Sequence, residues 1–299
     1  MIKPTFDKSL KELSSMKTGG NASVCYLPEN ESELIVIIKQ LNAENSKFAV
    51  LGNMSNVLIP DKGIEIPVIV TTEMKGVKLK DETDKTVTVY AESGVSFTKL
   101  AFEMCKKGYS GLEFAYGIPG TVGGAVYMNA GAYGGEAKDV ISKVTVCDKH
   151  GNVKVFTNEE CDFGYRHSVF ADNGMVILGA EFVLTKADAD KCVSDAKEIM
   201  QKRIDKQPLE YPSCGSTFKR PEGYFAGKLI QDSELMGYSV GGAQVSEKHA
   251  GFVINRNNAT TEDVLCLMRK VRRIVEEKFG VTLEEEIKLL DEKGEVFAL

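Results

Sequence analysis

The stretch Gly117–Gly135, GIPGTVGGAVYMNAGAYGG, holds seven of the chain's 28 glycines in nineteen residues and carries no charged side chain. Glycine reaches positive φ and lets another backbone or a ligand approach closely. Successive N–H groups in such turns form concavities that bind anions. Pro119 stiffens the entry, and Asn129 and Tyr133 supply polar handles. With no Lys or Arg in the run, backbone N–H groups must do most of any anion recognition. A phosphate-bearing cofactor is therefore the first suspect, set against the plainer alternative of a tight turn between two buried elements.

Two further glycine segments lie upstream, KTGGNA around Thr18, Gly19 and Gly20, and LGNMSNVLIPDKG from Leu51 to Gly63. The second follows a predicted strand, KFAVLG, so Ser55 and Asn56 stand where a strand-to-turn junction presents donors to a diphosphate. Neither the Gly-x-Gly-x-x-Gly dinucleotide fingerprint nor a P-loop Gly-Lys-Ser/Thr is present, which disfavours a Rossmann dehydrogenase and a P-loop NTPase.

Around these segments the pattern is α+β. The stripe Leu34, Ile35, Ile37, Ile38 and Leu41 predicts a helix opened by Asn30 with Glu33 three residues on. The runs PVIVTT and KTVTVYAES read as strands. Phe97, Leu100, Ala101 and Met104 predict a helix from about 96 to 107 that stops at Gly108. ISKVTVCDKHGNVKVFT reads as a hairpin turning near His150, Gly151 and Asn152, and GMVILGAEFVLTKA as another strand. Helices are expected at about 189–206, ended by Pro208, and at about 261–279, ended by Gly280.

At 299 residues the chain is long enough for two or three domains. Apolar content of 43% and charged content of 27% are ordinary for a globular enzyme, and a net charge of -6 argues against nucleic acid as a partner. No stretch is apolar enough to span a membrane and the N-terminus has no signal-peptide core, so a cytoplasmic protein with no membrane partner is expected. Seven cysteines without a C-x-x-C pair read as reduced, mostly buried thiols, and no metal site is expected.

The segments TGGNA, LGNMSNVLI, GIPGTVGGAVYMNAGAYGGE, FGYRHSVF and CGSTFKRP, in this order across nearly the whole chain, closely resemble the UDP-N-acetylenolpyruvoylglucosamine reductase family. The resemblance implies FAD and NADPH as cofactors, a UDP-sugar substrate and a role in peptidoglycan precursor synthesis. It implies a two-part FAD-binding module of the PCMH/vanillyl-alcohol-oxidase-like superfamily plus a smaller α+β substrate-binding domain, divided as 1–72, 73–205 and 206–287, with 288–299 a candidate to return to the first part. It places FAD against Gly52, Asn53, Ser55, Asn56 and Val57 and against Gly117, Ile118, Pro119, Gly120, Thr121, Gly123, Gly124, Asn129, Gly131, Ala132 and Tyr133. Met54 stands where the family has a second glycine. If that position requires positive φ, a Met there costs on the order of 1 kcal/mol. The short length and the lack of a tyrosine-bearing capping segment resemble the family's second type.

Reducing an enol ether conjugated to a carboxylate needs a hydride on the β carbon, a proton on the α carbon and stabilisation of the enolate between them. By resemblance these last two tasks fall to Arg166, Ser216 and Glu286, with Tyr165, Arg203, Lys206 and Lys219 at the substrate. Cys214, two residues before Ser216, matches no such role and reads as structural. Two other readings stay open. A flavin oxidase of the same superfamily would use His150 or His167 for covalent attachment, and a non-catalytic flavin- or UDP-sugar-binding regulator is suggested by Met54.

Overall fold

Alternating apolar residues fix an inner strand of one sheet: Val87, Val89 and Ala91 of Thr86–Glu92 are buried, as the pattern in KTVTVYAES requires. The computed structural model describes residues 2–299. They divide into two compact units, one chiefly Tyr26–Asn53 with Val68–Lys202, the other Thr5–Cys25, Met54–Pro67 and Arg203–Leu299.

The first unit is built on an antiparallel sheet in the order Val153–Thr157, Ile141–Cys147, Val176–Lys186, Thr86–Glu92, Val77–Glu82, with Tyr109–Ser110 added beside Val176–Lys186. The helix Phe97–Lys106 starts at Ser96, whose hydroxyl accepts the Lys99 N–H, and ends before Gly108 at φ 73°. Its stripe Phe97, Leu100, Ala101 and Met104 joins one core with Val87, Val89, Val122, Val126, Val144 and Phe182. The helix Glu31–Ala43 is capped as expected by Asn30, which accepts the Glu33 N–H at 3.0 Å, while the Glu33 carboxylate reaches back to the Glu29 N–H at 2.8 Å. The strand Ala49–Leu51 runs parallel to Val68–Val70. In the hairpin, the Asp148 carboxylate takes the N–H groups of His150 and Asn152 at 2.8 and 3.0 Å and sets the turn. The strand Val77–Glu82 is an addition to the expected elements: all six residues are exposed, so its pattern carries no burial signal.

The second unit pairs Ser213–Ser216, Phe252–Asn255, Ala243–Val245 and Ser239–Val240 in an antiparallel sheet. The long helix Thr261–Phe279 runs to Gly280 at φ 66° and buries Val264, Leu265, Met268, Val271 and Val275 against Phe218, Leu229, Ile230 and Val253. Its start is fixed twice. Thr260 and Asp263 form a capping box, and the Asp61 carboxylate accepts the N–H groups of Thr261 and Glu262 at 2.8 and 3.0 Å. The strand Lys288–Leu290 runs parallel to Val57–Leu58 and antiparallel to Val296–Phe297. Among the described residues no helix is long and apolar enough to cross a membrane. None of the seven cysteines forms a disulfide, and six are buried.

Candidate functional site

In the first unit, two glycine segments distant in sequence adjoin. Gly52, just past the strand Ala49–Leu51, lies so close to Thr121 that a Cβ on it would overlap the Thr121 hydroxyl. On the Thr121 side, Gly117 and Gly120 take φ values of 88° and 125°, which only glycine adopts without strain. The Gly117 N–H donates to Thr98 Oγ1 at 2.7 Å, and the Phe97 N–H donates to the Gly120 carbonyl at 3.1 Å, so this turn is tied to the start of the helix Phe97–Lys106. Ile118 completes it, its N–H donating to Ala115 O at 2.9 Å, with Pro119 next to it between the two positive-φ glycines.

The short helix Val122–Tyr127 that follows does not offer its first N–H groups to a ligand. Val122 donates to Val95 O, Gly123 to Ser93 O, both at 2.8 Å, and Gly124 to the capping Thr121 hydroxyl at 3.4 Å. Gly123 is required by packing, since a Cβ would lie 2.9 Å from that of Ser93. Within the double turn of Gly52, Asn53 and Gly117–Thr121, the N–H groups of Gly117 and Ile118 are likewise engaged and Pro119 has none, so Gly120 and Thr121 are the candidate anion donors on this side. An uncharged, glycine-lined double turn with a threonine hydroxyl in it fits a cofactor diphosphate.

The end of the run does something different. Gly131–Ala132 pairs with Gly135–Glu136 across a two-residue turn in which Tyr133 and Gly134 both have positive φ, 53° and 90°, the arrangement of a type I′ hairpin. Beside it, Gly164–His167 closes a second tight turn, the Gly164 N–H donating to His167 O at 3.0 Å. Arg166 sits in that turn at φ 55°, its guanidinium 5.2 Å from the centre of the Tyr165 ring, and donates from Nη2 to the Gly131 carbonyl at 3.2 Å. Tyr133 and Tyr165 are exposed. Asn129, also left-handed at φ 40°, is fully buried, and its amide binds Glu136, Gly164 and Lys138. The Lys138 ammonium hydrogen-bonded to Glu136, with the Asn129 amide, holds the Glu136 carboxyl below its usual range.

The second unit holds the other expected residues. Ser216 is exposed at the end of Ser213–Ser216, just after Gly215 at φ 77°. The next residue, Thr217, accepts the Glu286 N–H at 2.9 Å. Asn56 Nδ2 donates to the Glu286 carbonyl at 3.0 Å, and the Lys288 N–H donates to Asn56 O at 2.9 Å. One backbone ladder therefore brings Asn56, half-buried Glu286 and the neighbour of Ser216 together, with Ser55 and Val57 flanking Asn56. Lys219 pairs with Glu284 at 3.3 Å on the surface. Arg203 is 5% exposed near the end of the helix Ala189–Lys206, whose last residue, Lys206, is exposed.

Cys214 donates its thiol to Val57 O at 3.4 Å, and burial pushes its pKa up to about 12, so it is a packed structural thiol. Met54 has φ 47°, the left-handed backbone that makes glycine the natural residue there, and its side chain is buried. The upstream turn at Thr18, Gly19 and Gly20 packs on Ile59–Gly63: a Cβ on Gly20 would lie 2.5 Å from the Gly63 nitrogen. His150 is bound to Asn42 in the hairpin turn at 3.3 Å and His167 to Asp172 at 2.8 Å. Residues that the sequence reading missed include Thr98, Ser93 and Gly164, which act through their backbone or a single hydroxyl and carry no motif of their own.

The FAD binding domain family matches residues 22–157, and the model "UDP-N-acetylenolpyruvoylglucosamine reductase, C-terminal domain" matches residues 207–290. A UDP-N-acetylenolpyruvoylglucosamine reductase of Oceanobacillus iheyensis is 48% identical over 96% of this chain and 92% of its own length. The chain belongs to the UDP-N-acetylenolpyruvoylglucosamine reductase family. The reductase of that name from Caldanaerobacter subterraneus is 44% identical over 96% of this chain and 93% of its own. The crystal structure of a family member from Thermus caldophilus superposes with a TM-score of 0.81 at 32% identity, covering 97% of this chain and 98% of that one. Family membership supports the reading of the double turn as an FAD cradle, since the turn lies within the matched FAD-binding region.

Proposed function

We propose that this protein is a cytoplasmic, FAD-containing, NADPH-dependent reductase that converts UDP-N-acetyl-3-O-(1-carboxyvinyl)glucosamine to UDP-N-acetylmuramate. The observation that carries the reading is the ladder that sets Glu286 beside Thr217, next to Ser216, within the region matched by the family's own C-terminal domain. FAD, when bound and reduced by NADPH, would supply the hydride, and with it both electrons, for the β carbon. Gly52, Asn53 and Gly117–Thr121 would hold its diphosphate.

The chain's own groups meet the remaining demands. Arg166 presents a rigid fork of donors that can take the carboxylate and enolate oxygens of the substrate as charge grows there. Its partial exposure in a tight turn supports this role. Ser216 gives its hydroxyl proton to the α carbon, and water restores it. Glu286, whose N–H donates to the carbonyl of Thr217, the residue after Ser216, would assist that transfer by hydrogen bonding. Tyr165, Arg203, Lys206 and Lys219 are the candidates for substrate contact. Pairing of Lys288–Leu290 with Val57–Leu58 supports the return of 288–299 to the part formed by 1–72, leaving 73–205 and 206–287 as the other two parts.

The deciding experiment follows NADPH oxidation by purified, FAD-loaded protein with and without the enolpyruvyl sugar nucleotide. Substrate-dependent oxidation with UDP-N-acetylmuramate as product is expected. Prompt oxygen consumption without substrate would turn the reading toward an oxidase, and protein that takes up no FAD would end it.

A further inference from the structure

Asn129 sits just past the helix Val122–Tyr127, with φ 40° and no exposed surface. Asparagine is one of the few side-chain-bearing residues that takes this backbone readily. Its side chain reaches three segments. Nδ2 donates to the Gly164 carbonyl at 3.0 Å and to Glu136 Oε2 at 3.1 Å, and Oδ1 accepts the Lys138 N–H at 3.0 Å. Both of its donors and one of its acceptor positions are thereby engaged inside the protein.

These three partners converge on Arg166. Gly164 opens the tight turn that holds Arg166 at its strained φ. Glu136 pairs with Gly131, whose carbonyl takes the Arg166 guanidinium at 3.2 Å. Lys138, two residues after Glu136, closes on Glu136 Oε2 through its ammonium at 2.9 Å. A single buried amide thus fixes the backbone from which Arg166 springs and the hairpin against which its guanidinium rests. Ser168 adds a second pin to the same turn, donating to Tyr127 O at 2.9 Å.

We infer that Asn129 is a positioning residue for Arg166, holding the turn Gly164–His167 and the hairpin Gly131–Glu136 in one register, and that it makes no contact with the cofactor. The inference rests on the proposed role of Arg166. Such a residue affects the step that Arg166 serves and spares the steps it does not. The Gly52–Thr121 double turn shares none of these three hydrogen bonds, so the part of the FAD cradle that it forms does not depend on them, and the inference has that turn retain the cofactor when they are lost.

The test compares Asn129→Asp, Asn129→Ser and Arg166→Ala with the parent holoenzyme in two anaerobic half-reactions, flavin reduction by NADPH and flavin reoxidation by the enolpyruvyl sugar nucleotide. Asn129→Asp keeps the shape and removes both donors, turning a carboxylate toward Gly164 O and the Glu136 carboxylate. Reoxidation is expected to slow at least tenfold in both Asn129 variants, with flavin reduction and FAD content within twofold of the parent. Lowering the pH is expected to restore part of the Asn129→Asp rate, because a protonated carboxyl regains one donor. In the FAD-free protein, amide exchange at Lys138 should rise at least tenfold in Asn129→Ser while that at Val122 and Gly123 holds. Equal losses in both half-reactions, or reoxidation at the parent rate in Asn129→Ser, overturns the inference. If Arg166→Ala reoxidises at the parent rate, the reading of Arg166 falls and takes this inference with it; if only Arg166→Ala is slow, the inference alone falls.

Discussion

The contact between Gly52 and Thr121 can be tested by filling it. Gly52 has an ordinary backbone conformation, so alanine there brings no φ strain and would by itself restrict the unfolded chain favourably, by about 0.4–1 kcal/mol. The obstacle is the Thr121 hydroxyl, which the new methyl would overlap, whereas the Thr121 Cβ lies 3.5 Å from it, an ordinary contact. Thr121 must therefore rotate or the turns must part. Overpacking of this kind costs about 1–3 kcal/mol. Rotation also breaks the cap to the Gly124 N–H, which at 3.4 Å is long and is worth about 0.5 kcal/mol or somewhat more. Thr121→Ala alone should lose only the cap. In the double variant the hydroxyl is gone and the overlap with it, so the pair should be no less stable than Thr121→Ala. Both single variants lose the cap and the double loses it only once, so the coupling in the cycle is the overpacking cost plus the cap, about 1.5–3.5 kcal/mol in favour of the double variant. Urea unfolding of the four FAD-free proteins measures it, with FAD fluorescence on titration as a parallel readout. Additivity within about 0.5 kcal/mol, the behaviour of sites that share no contact, would falsify the placement of the two turns side by side.

Three further outcomes are expected. Met54→Gly should be more stable than Met54→Ala by about 1 kcal/mol, since both remove the buried side chain but only glycine relieves the positive φ; equal thermal midpoints would refute the strain assigned to Met54. His249 has its pKa lowered by burial. Above its ordinary value of 6.5 the ring is neutral folded and unfolded, while below it the unfolded chain takes up a proton that the folded ring resists, so stability falls as the pH drops from 6.5 through the folded value. Urea midpoints between pH 8 and 5 should decline less in His249→Gln than in the parent, and parallel profiles would exclude the effect. A thiol reagent at pH 8 should modify Cys266 in the native protein and all seven cysteines after unfolding; fast native reaction at Cys105, Cys161 or Cys214, whose buried thiols are pushed up to about 12, would contradict their packing.

Much of the fold was legible because its longer elements announce themselves by period and punctuation. The helix Thr261–Phe279 is ended by a glycine in the left-handed conformation, Glu31–Ala43 is opened by an asparagine that caps it, and Thr86–Glu92 alternates apolar with other residues in sequence, although its last four residues are all buried. Elements whose reason lies elsewhere in the chain stayed hidden. Lys288–Leu290 is a three-residue strand defined by a partner about 230 positions away, and Val77–Glu82 buries nothing. The run LEEEIKLL, with its consecutive acids, reads as a solvated face. In the structure Leu283, Ile287 and Leu289 are buried while Glu284 is exposed, a period of two that Glu285, paired with Arg272 at 3.1 Å, interrupts.

The glycine run shows why composition alone cannot assign a site. Gly117 and Gly120 shape a turn beside Gly52, but Gly123 is there because Ser93 occupies the space of its side chain, and Gly135 because Phe114 does. The same run then supplies Asn129 and Gly131, whose geometry concerns Arg166, 35 residues beyond Gly131. A stretch that reads as one cradle is thus two devices in sequence, a turn suited to a diphosphate and a support for an arginine. The division falls at the helix Val122–Tyr127, whose opening N–H groups are already engaged by Val95, Ser93 and Thr121. What marks the second device is backbone strain in residues other than glycine: Asn129, Tyr133 and Arg166 all have positive φ. For Tyr133 and Arg166 such strain costs on the order of 1 kcal/mol each, and surrounding hydrogen bonds must hold it. Propensity predicts against these conformations at each position, so sequence reasoning fails here for a physical reason, and it fails where the candidate chemistry is placed.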